Sequence, residues 1–117
     1  MLNFLRLKKN KEFVKCWGNG KPVREFLFIE DACEALIEIC KSYNNIEPIN
    51  IGIGKGYSVK KIAKIIKKLT SFKGKILWDK NMSNGAMKKV LNNEKMMKII
   101  KWRGKIEIEL GIAKTIS

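Results

Sequence analysis

The sequence contains no histidine, which removes the Ser-His-Asp and Cys-His nucleophilic constellations and every metal site built on imidazole. A hydrolytic triad is excluded. The three cysteines, Cys16, Cys33 and Cys40, form no C-x-x-C pair, so neither a zinc ribbon nor a thioredoxin-like redox motif is present, and they read as reduced thiols. Proline occurs only at Pro22 and Pro48. No Ser/Gly/Pro-rich linker and no fixed repeat divides the chain. No apolar run approaches the ~20 residues of a membrane span, and the apolar stretch within Met1 to Leu7 is too short for a signal peptide. These absences predict a cytoplasmic protein with no membrane partner.

Acidic residues are also scarce: 25 Lys plus Arg stand against 11 Asp plus Glu, a net charge of +14. Such a surplus invites a nucleic-acid reading, because cations that neutralise phosphates supply most sequence-independent binding. However, 22 of the 25 are Lys, spread along the whole chain and accompanied by 17 Ile and 10 Asn. That bias suits AT-rich coding sequence better than a phosphate-reading surface, which favours Arg. The charge predicts a solvated, compositionally biased surface, with a small basic nucleic-acid-binding module as the alternative. At 117 residues and 45 % hydrophobic, the chain allows one domain with one small core, not two. A complete dinucleotide-binding enzyme does not fit.

The order of short elements predicts a mixed α/β fold. Met1 to Lys9 has apolar residues at helical spacing and no cap, and resembles the tail of a helix whose beginning is cut away. Glu12 to Trp17 and Glu25 to Ile29 read as two strands around the turn Gly18-Asn19-Gly20-Lys21-Pro22. Asp31 and Glu34 form a D-x-x-E capping box for a largely buried helix ending near Tyr43. Pro48 to Ile51 reads as a short strand, and Ser58 caps a helix with Val59, Ile62, Ala63, Ile65, Ile66 and Leu69 on one face. Lys75 to Trp78 is a strand, Asn92 caps a helix through Ile100, and Lys105 onward is a short strand or a last helix.

Gly52-x-Gly54-x-Gly56 stands where a phosphate-binding loop would, but a dinucleotide fingerprint needs G-x-G-x-x-G and an acid about 20 residues later. Here that position falls among Leu69, Thr70 and Ser71, so an ordinary turn is expected. Tyr57 and Lys61 match Y-x-x-x-K, yet Tyr57 precedes the helix, which predicts no acid–base pair. Trp17 to Phe26 is more informative. Arg24 follows a Gly-Pro turn and suits bidentate phosphate recognition, and Trp17 offers a face to an aromatic base. A core Trp beside a surface Arg is the competing reading.

Five motifs in order carry a resemblance: Trp17-Gly18-x-Gly20-x-Pro22-x-Arg24-Glu25-Phe26, Ile29-Glu30-Asp31-Ala32, Ile49-Asn50-Ile51-Gly52-x-Gly54, Ser58 to Ala63, and Phe72 to Asp79. Together they resemble the C-terminal part of the GDP-L-fucose synthases, within the extended short-chain dehydrogenase/reductase (NAD-dependent epimerase/dehydratase) family. The similarity covers nearly the whole chain. It implies the α/β fold of the C-terminal substrate-binding portion of an extended, Rossmann-type enzyme, with residues 1–117 as a single partial domain lacking the N-terminal cofactor domain.

The implied activity is NADP-dependent epimerisation and reduction of a GDP-4-keto-6-deoxymannose. By resemblance, Trp17, Arg24 and Lys89 line the GDP-sugar site. No catalytic, cofactor-binding or metal residue is assigned, because the glycine-rich loop and catalytic Tyr and Lys belong to the part not matched. The chain alone is therefore expected to be inactive, and to need a separate Rossmann-domain chain or a homodimer as partner. Another sugar-nucleotide epimerase or dehydratase, and a remnant without function, remain alternatives. The family's P-D-G-x-P-R-K segment falls on Ser83 to Lys89, where Ser83, Asn84 and Met87 replace Pro, Asp and Pro. That loss predicts a looser turn and weaker binding. Without the Rossmann sheet, the helix from Asp31 is expected to leave apolar surface uncovered, giving a marginal fold.

Overall fold

In the computed structural model, which describes residues 12–117, β-branched and aromatic residues build β1 (Phe13–Trp17). The helix tail expected at Met1 to Lys9 lies outside the described residues. The chain then turns through Gly18 and Gly20, both at positive φ, into β2 (Val23–Glu25). These two strands do not pair with each other. β1 runs parallel to β4 (Lys75–Asp79), and β2 lies between antiparallel β3 (Gly56–Ser58) and parallel β5 (Lys88–Lys89). The Gly-Pro turn thus carries the chain from one sheet to the other.

α1 (Ile29–Ser42) has Phe28 at its N-cap, three residues before the expected cap Asp31, with no side-chain cap bond. Asp31 is not the cap. It sits in the first turn, 3 % exposed, and its carboxylate accepts the Lys105 and Ile106 backbone N–H groups at 3.0 and 2.9 Å. A buried carboxylate with two donors is satisfied, and its negative charge suits the helix N-terminus. Pro48 to Ile51 is irregular, and the strand lies later, at Gly56.

Ser58 caps α2 (Val59–Leu69) as expected, its hydroxyl accepting from Lys61 N at 3.2 Å. Ile62, Ala63, Ile65 and Ile66 face inward, whereas Leu69 is exposed. α3 (Glu94–Ile99) is supported by Asn92, whose Oδ1 accepts Glu94 N at 2.9 Å. The last element is a helix, α4 (Ile108–Ile116).

Buried side chains form two clusters rather than the single core that the length predicts. Val14, Tyr57, Ile62, Ala63, Ile65, Ile66 and Ile112 gather beneath β1, α2 and α4. Ala35, Ile39, Met96, Ile100 and Trp102 gather between α1 and α3. The two sheets share no hydrogen-bonded strand, yet the first cluster draws on both, through Val14 of β1 and Tyr57 of β3, whereas the second is built from α1, α3 and the segment after α3. On its other side α1 exposes Ile29, Leu36 and Ile37 together with Cys33 and Cys40, the uncovered apolar surface expected of this helix.

Candidate functional site

Arg24 and Lys89 are direct register partners on β2 and β5, strands spaced about 4.8 Å apart. The pairing is fixed on its N-terminal side by Val23 N, which donates to Met87 O at 2.8 Å. Arg24 Nη1 donates to Val23 O at 2.8 Å. Its Nη2 lies 3.5 Å from where a Cβ on Gly85 would stand, so the guanidinium rests against the bend that leads into β5. Two adjacent cations repel, and an anion between them relieves that repulsion.

The same segment reaches the neighbourhood of Trp17. Asn19 N donates to Asn84 Oδ1 at 2.8 Å. Gly18 has φ +76° and packs so closely on Asn84 that a Cβ there would collide with the amide oxygen. Trp17, the last residue of β1, is 71 % exposed. The structure therefore brings Arg24 and Lys89 together and ties the turn after Trp17 to them through Asn84. Where the resemblance places rigid prolines, side-chain bonds hold the bend, with Ser83 Oγ accepting Gly85 N at 3.1 Å.

The Gly52–Gly56 stretch has a different task from phosphate binding. Glu25 Oε1 accepts Ile53 N at 2.5 Å and Gly54 N at 2.9 Å, and Oε2 accepts Leu91 N at 2.7 Å. The N–H groups that would cradle a phosphate are bound to a carboxylate of the same chain. These residues do not fit a dinucleotide cofactor. Tyr57 is buried, with the Lys61 ammonium 5.0 Å from its ring centroid, a cation–π contact. The Lys55 ammonium also stands over this ring, 5.5 Å from its centroid, and its proximity to the Tyr57 hydroxyl, with the Glu107 charge adding, raises it above its ordinary value.

A separate cleft of about 340 Å³ is lined by Tyr57, Met96, Trp102, Arg103 and Glu107 among others. Trp17, Arg24 and Lys89 are not among its lining residues. Sequence reasoning missed the roles of Glu25 and Asp31, whose partners lie 66 and 74 residues away. Among the described residues there is no cluster of three metal-ligating side chains, and no helix is long and apolar enough to cross a membrane.

Residues 2–52 match the NAD dependent epimerase/dehydratase family. The GDP-L-fucose synthase of Sinorhizobium fredii is 39 % identical over 99 residues, covering 85 % of this chain and 31 % of the relative. The solved GDP-L-fucose synthetase of Naegleria fowleri bound to NADP superposes with a TM-score of 0.83 at 27 % identity, over 89 % of this chain and 33 % of that one. A UDP-glucose 4-epimerase of Thermotoga maritima with UDP-glucose gives 0.84 at 23 % identity, over 98 % and 37 %, and shows the fold alone. The chain spans about a third of the length of the relatives it matches. Over residues 2–52 the chain matches the NAD-dependent epimerase/dehydratase family, and over most of its length it is similar in sequence and fold to the GDP-L-fucose synthases.

Proposed function

We propose that this chain supplies the sugar-nucleotide-binding part of a GDP-sugar epimerase/reductase of the GDP-L-fucose synthase type. One observation carries the reading: Arg24 and Lys89, far apart in sequence, are register partners beside the Asn84–Gly85 bend. Two adjacent cations suit the diphosphate of a GDP-sugar, with the Arg24 guanidinium able to engage two oxygens at once. Trp17, exposed next to the turn bound by Asn84, offers a face on which guanine stacks. The same site would serve a related GDP-sugar, because the groups that touch the sugar are outside this set.

NADP and the reacting Tyr and Lys of the family belong, in this reading, to a Rossmann domain on another polypeptide or a longer form of this one. This chain's share is binding and orientation. Titration calorimetry with GDP tests it: saturable binding is expected, weakened at least tenfold in Arg24→Ala and partly retained in Arg24→Lys. Equal affinity in the parent chain and Arg24→Ala overturns the assignment. The chain on its own is expected to oxidise no NADPH.

A further inference from the structure

The lysines are spread along the chain, but the acids are not. Residues 48–93 contain eleven lysines and a single acid, Asp79, and therefore ten of the fourteen net positive charges. Asp79 is itself paired with Lys15 at 2.7 Å. The other ion pairs of the described residues are made by Lys41, Lys95, Lys105 and Lys114, outside this stretch or at its edge.

Within it, α2 carries Lys60, Lys61, Lys64, Lys67 and Lys68 and no acid. At 100° per residue these five fall within about a third of the helix circumference, opposite the buried Ile62, Ala63, Ile65 and Ile66. Lys60, Lys64 and Lys68 are exposed at i, i+4 spacing, where like charges disfavour the helix that bears them. The N-terminal end of this stripe abuts the aromatic turn. Lys60 N donates to Gly20 O at 2.9 Å, and a Cβ on Gly20 would stand 2.9 Å from Lys60 Cβ and 2.7 Å from the Trp78 ring. The basic stripe thus runs along α2 to the turn that follows the exposed Trp17.

We propose that this face, the lysines of α2 together with Trp17, binds single-stranded nucleic acid. Evenly spaced cations track a phosphate backbone and an exposed indole stacks an unpaired base, the two components of sequence-tolerant single-strand binding. An anionic membrane is a poorer match, because an interfacial helix inserts an apolar face and that of α2 is already buried. The proposal shares Trp17 with the GDP-sugar reading but does not rest on it, since the α2 lysines lie outside the Arg24–Lys89 pair.

The test is fluorescence anisotropy of a labelled oligothymidine of about 20 nucleotides, between about 50 and 200 mM NaCl. Each phosphate neutralised contributes about −0.7 to the slope of log K against log salt. The triple variant Lys60→Gln, Lys64→Gln, Lys68→Gln is expected to flatten that slope by about 2. Lys41→Gln, Lys98→Gln, Lys101→Gln removes equal charge elsewhere and is expected to leave it unchanged. Trp17→Ala is expected to weaken binding about tenfold without changing the slope, because stacking is uncharged. Gln keeps helix propensity, and circular dichroism verifies folding. Equal flattening by both triple variants, equal affinity for a duplex of the same length, or capture of phosphatidylserine vesicles without oligonucleotide binding each overturns the proposal. GDP affinity should survive the α2 triple variant and fall in Arg24→Ala, which separates failure of this site from failure of the GDP-sugar site.

Discussion

Glu25 and Leu91, 66 residues apart, are joined by a hydrogen bond from the Leu91 backbone N–H to Glu25 Oε2 at 2.7 Å. The other carboxylate oxygen holds Ile53 and Gly54, so one side chain ties β2 to the glycine stretch and to the segment just after β5. That bond keeps β5 beside β2, and hence Lys89 beside Arg24. Glu25→Ala should remove three charge-assisted bonds and cost about 3 kcal/mol, with Glu25→Gln costing less because the amide oxygen still accepts. Urea denaturation measures both. A loss of less than about 0.5 kcal/mol for the Ala variant would show that the carboxylate is not a tether.

Asp31 plays the same part on the other side of the fold, holding Lys105 and Ile106 against the start of α1. Asp31→Ala leaves two backbone donors without this acceptor, and a loss of about 2–4 kcal/mol is expected. Hydrogen exchange should locate it, with protection lost at Ile106 before it is lost in α2.

These two carboxylates show what the sequence discloses and what it conceals. Ser58 was legible as a cap and the inner face of α2 as a stripe, because both depend on residues within a turn or two. The partners of Glu25 and Asp31 come from distant segments, and no local pattern marks them. Asp31 even carried a false local signal, the D-x-x-E of a capping box. The turn at Gly18 to Pro22 conceals its strands' partners for a related reason. Two β-rich runs around such a turn suggest a hairpin, yet β1 finds a parallel partner in β4, a pairing that needs a long crossover and leaves no short-range trace. Arg24 and Lys89 were linked only through the resemblance, and it is the β2–β5 register that makes them neighbours.

Asp79 predicts an acid-sensitive step. The hydrogen bond from Lys15 is the largest influence on it and lowers its carboxyl below the ordinary value; partial desolvation opposes this, and the Asn81 N–H and the Lys15 charge assist. A folded-state value below the unfolded one stabilises the fold above the unfolded value, about 3.9, and that contribution is lost as pH falls through the folded value. Melting temperature should drop as pH is lowered from about 4. Asp79→Asn should show a shallower drop over the same range. Parallel curves for the two proteins would assign the acid sensitivity to other carboxylates.

The outer face of α1 gives the last prediction. Ile39 is 7 % exposed, whereas Leu36 is 49 % and Ile37 is 55 % exposed on the same helix. Truncating a buried isoleucine leaves a cavity, so Ile39→Ala should cost about 2–4 kcal/mol. Ile37→Ala removes atoms already in water and should cost less than about 0.5 kcal/mol. The contrast holds only while nothing covers the outer face. Were Ile37→Ala to destabilise as much as Ile39→Ala, and more so at high protein concentration, a second copy would be covering that face in solution. Sedimentation velocity at two concentrations distinguishes the cases: a monomer whose stability ignores Ile37 marks the surface as open, with Ile29, Leu36 and Ile37 available to another domain.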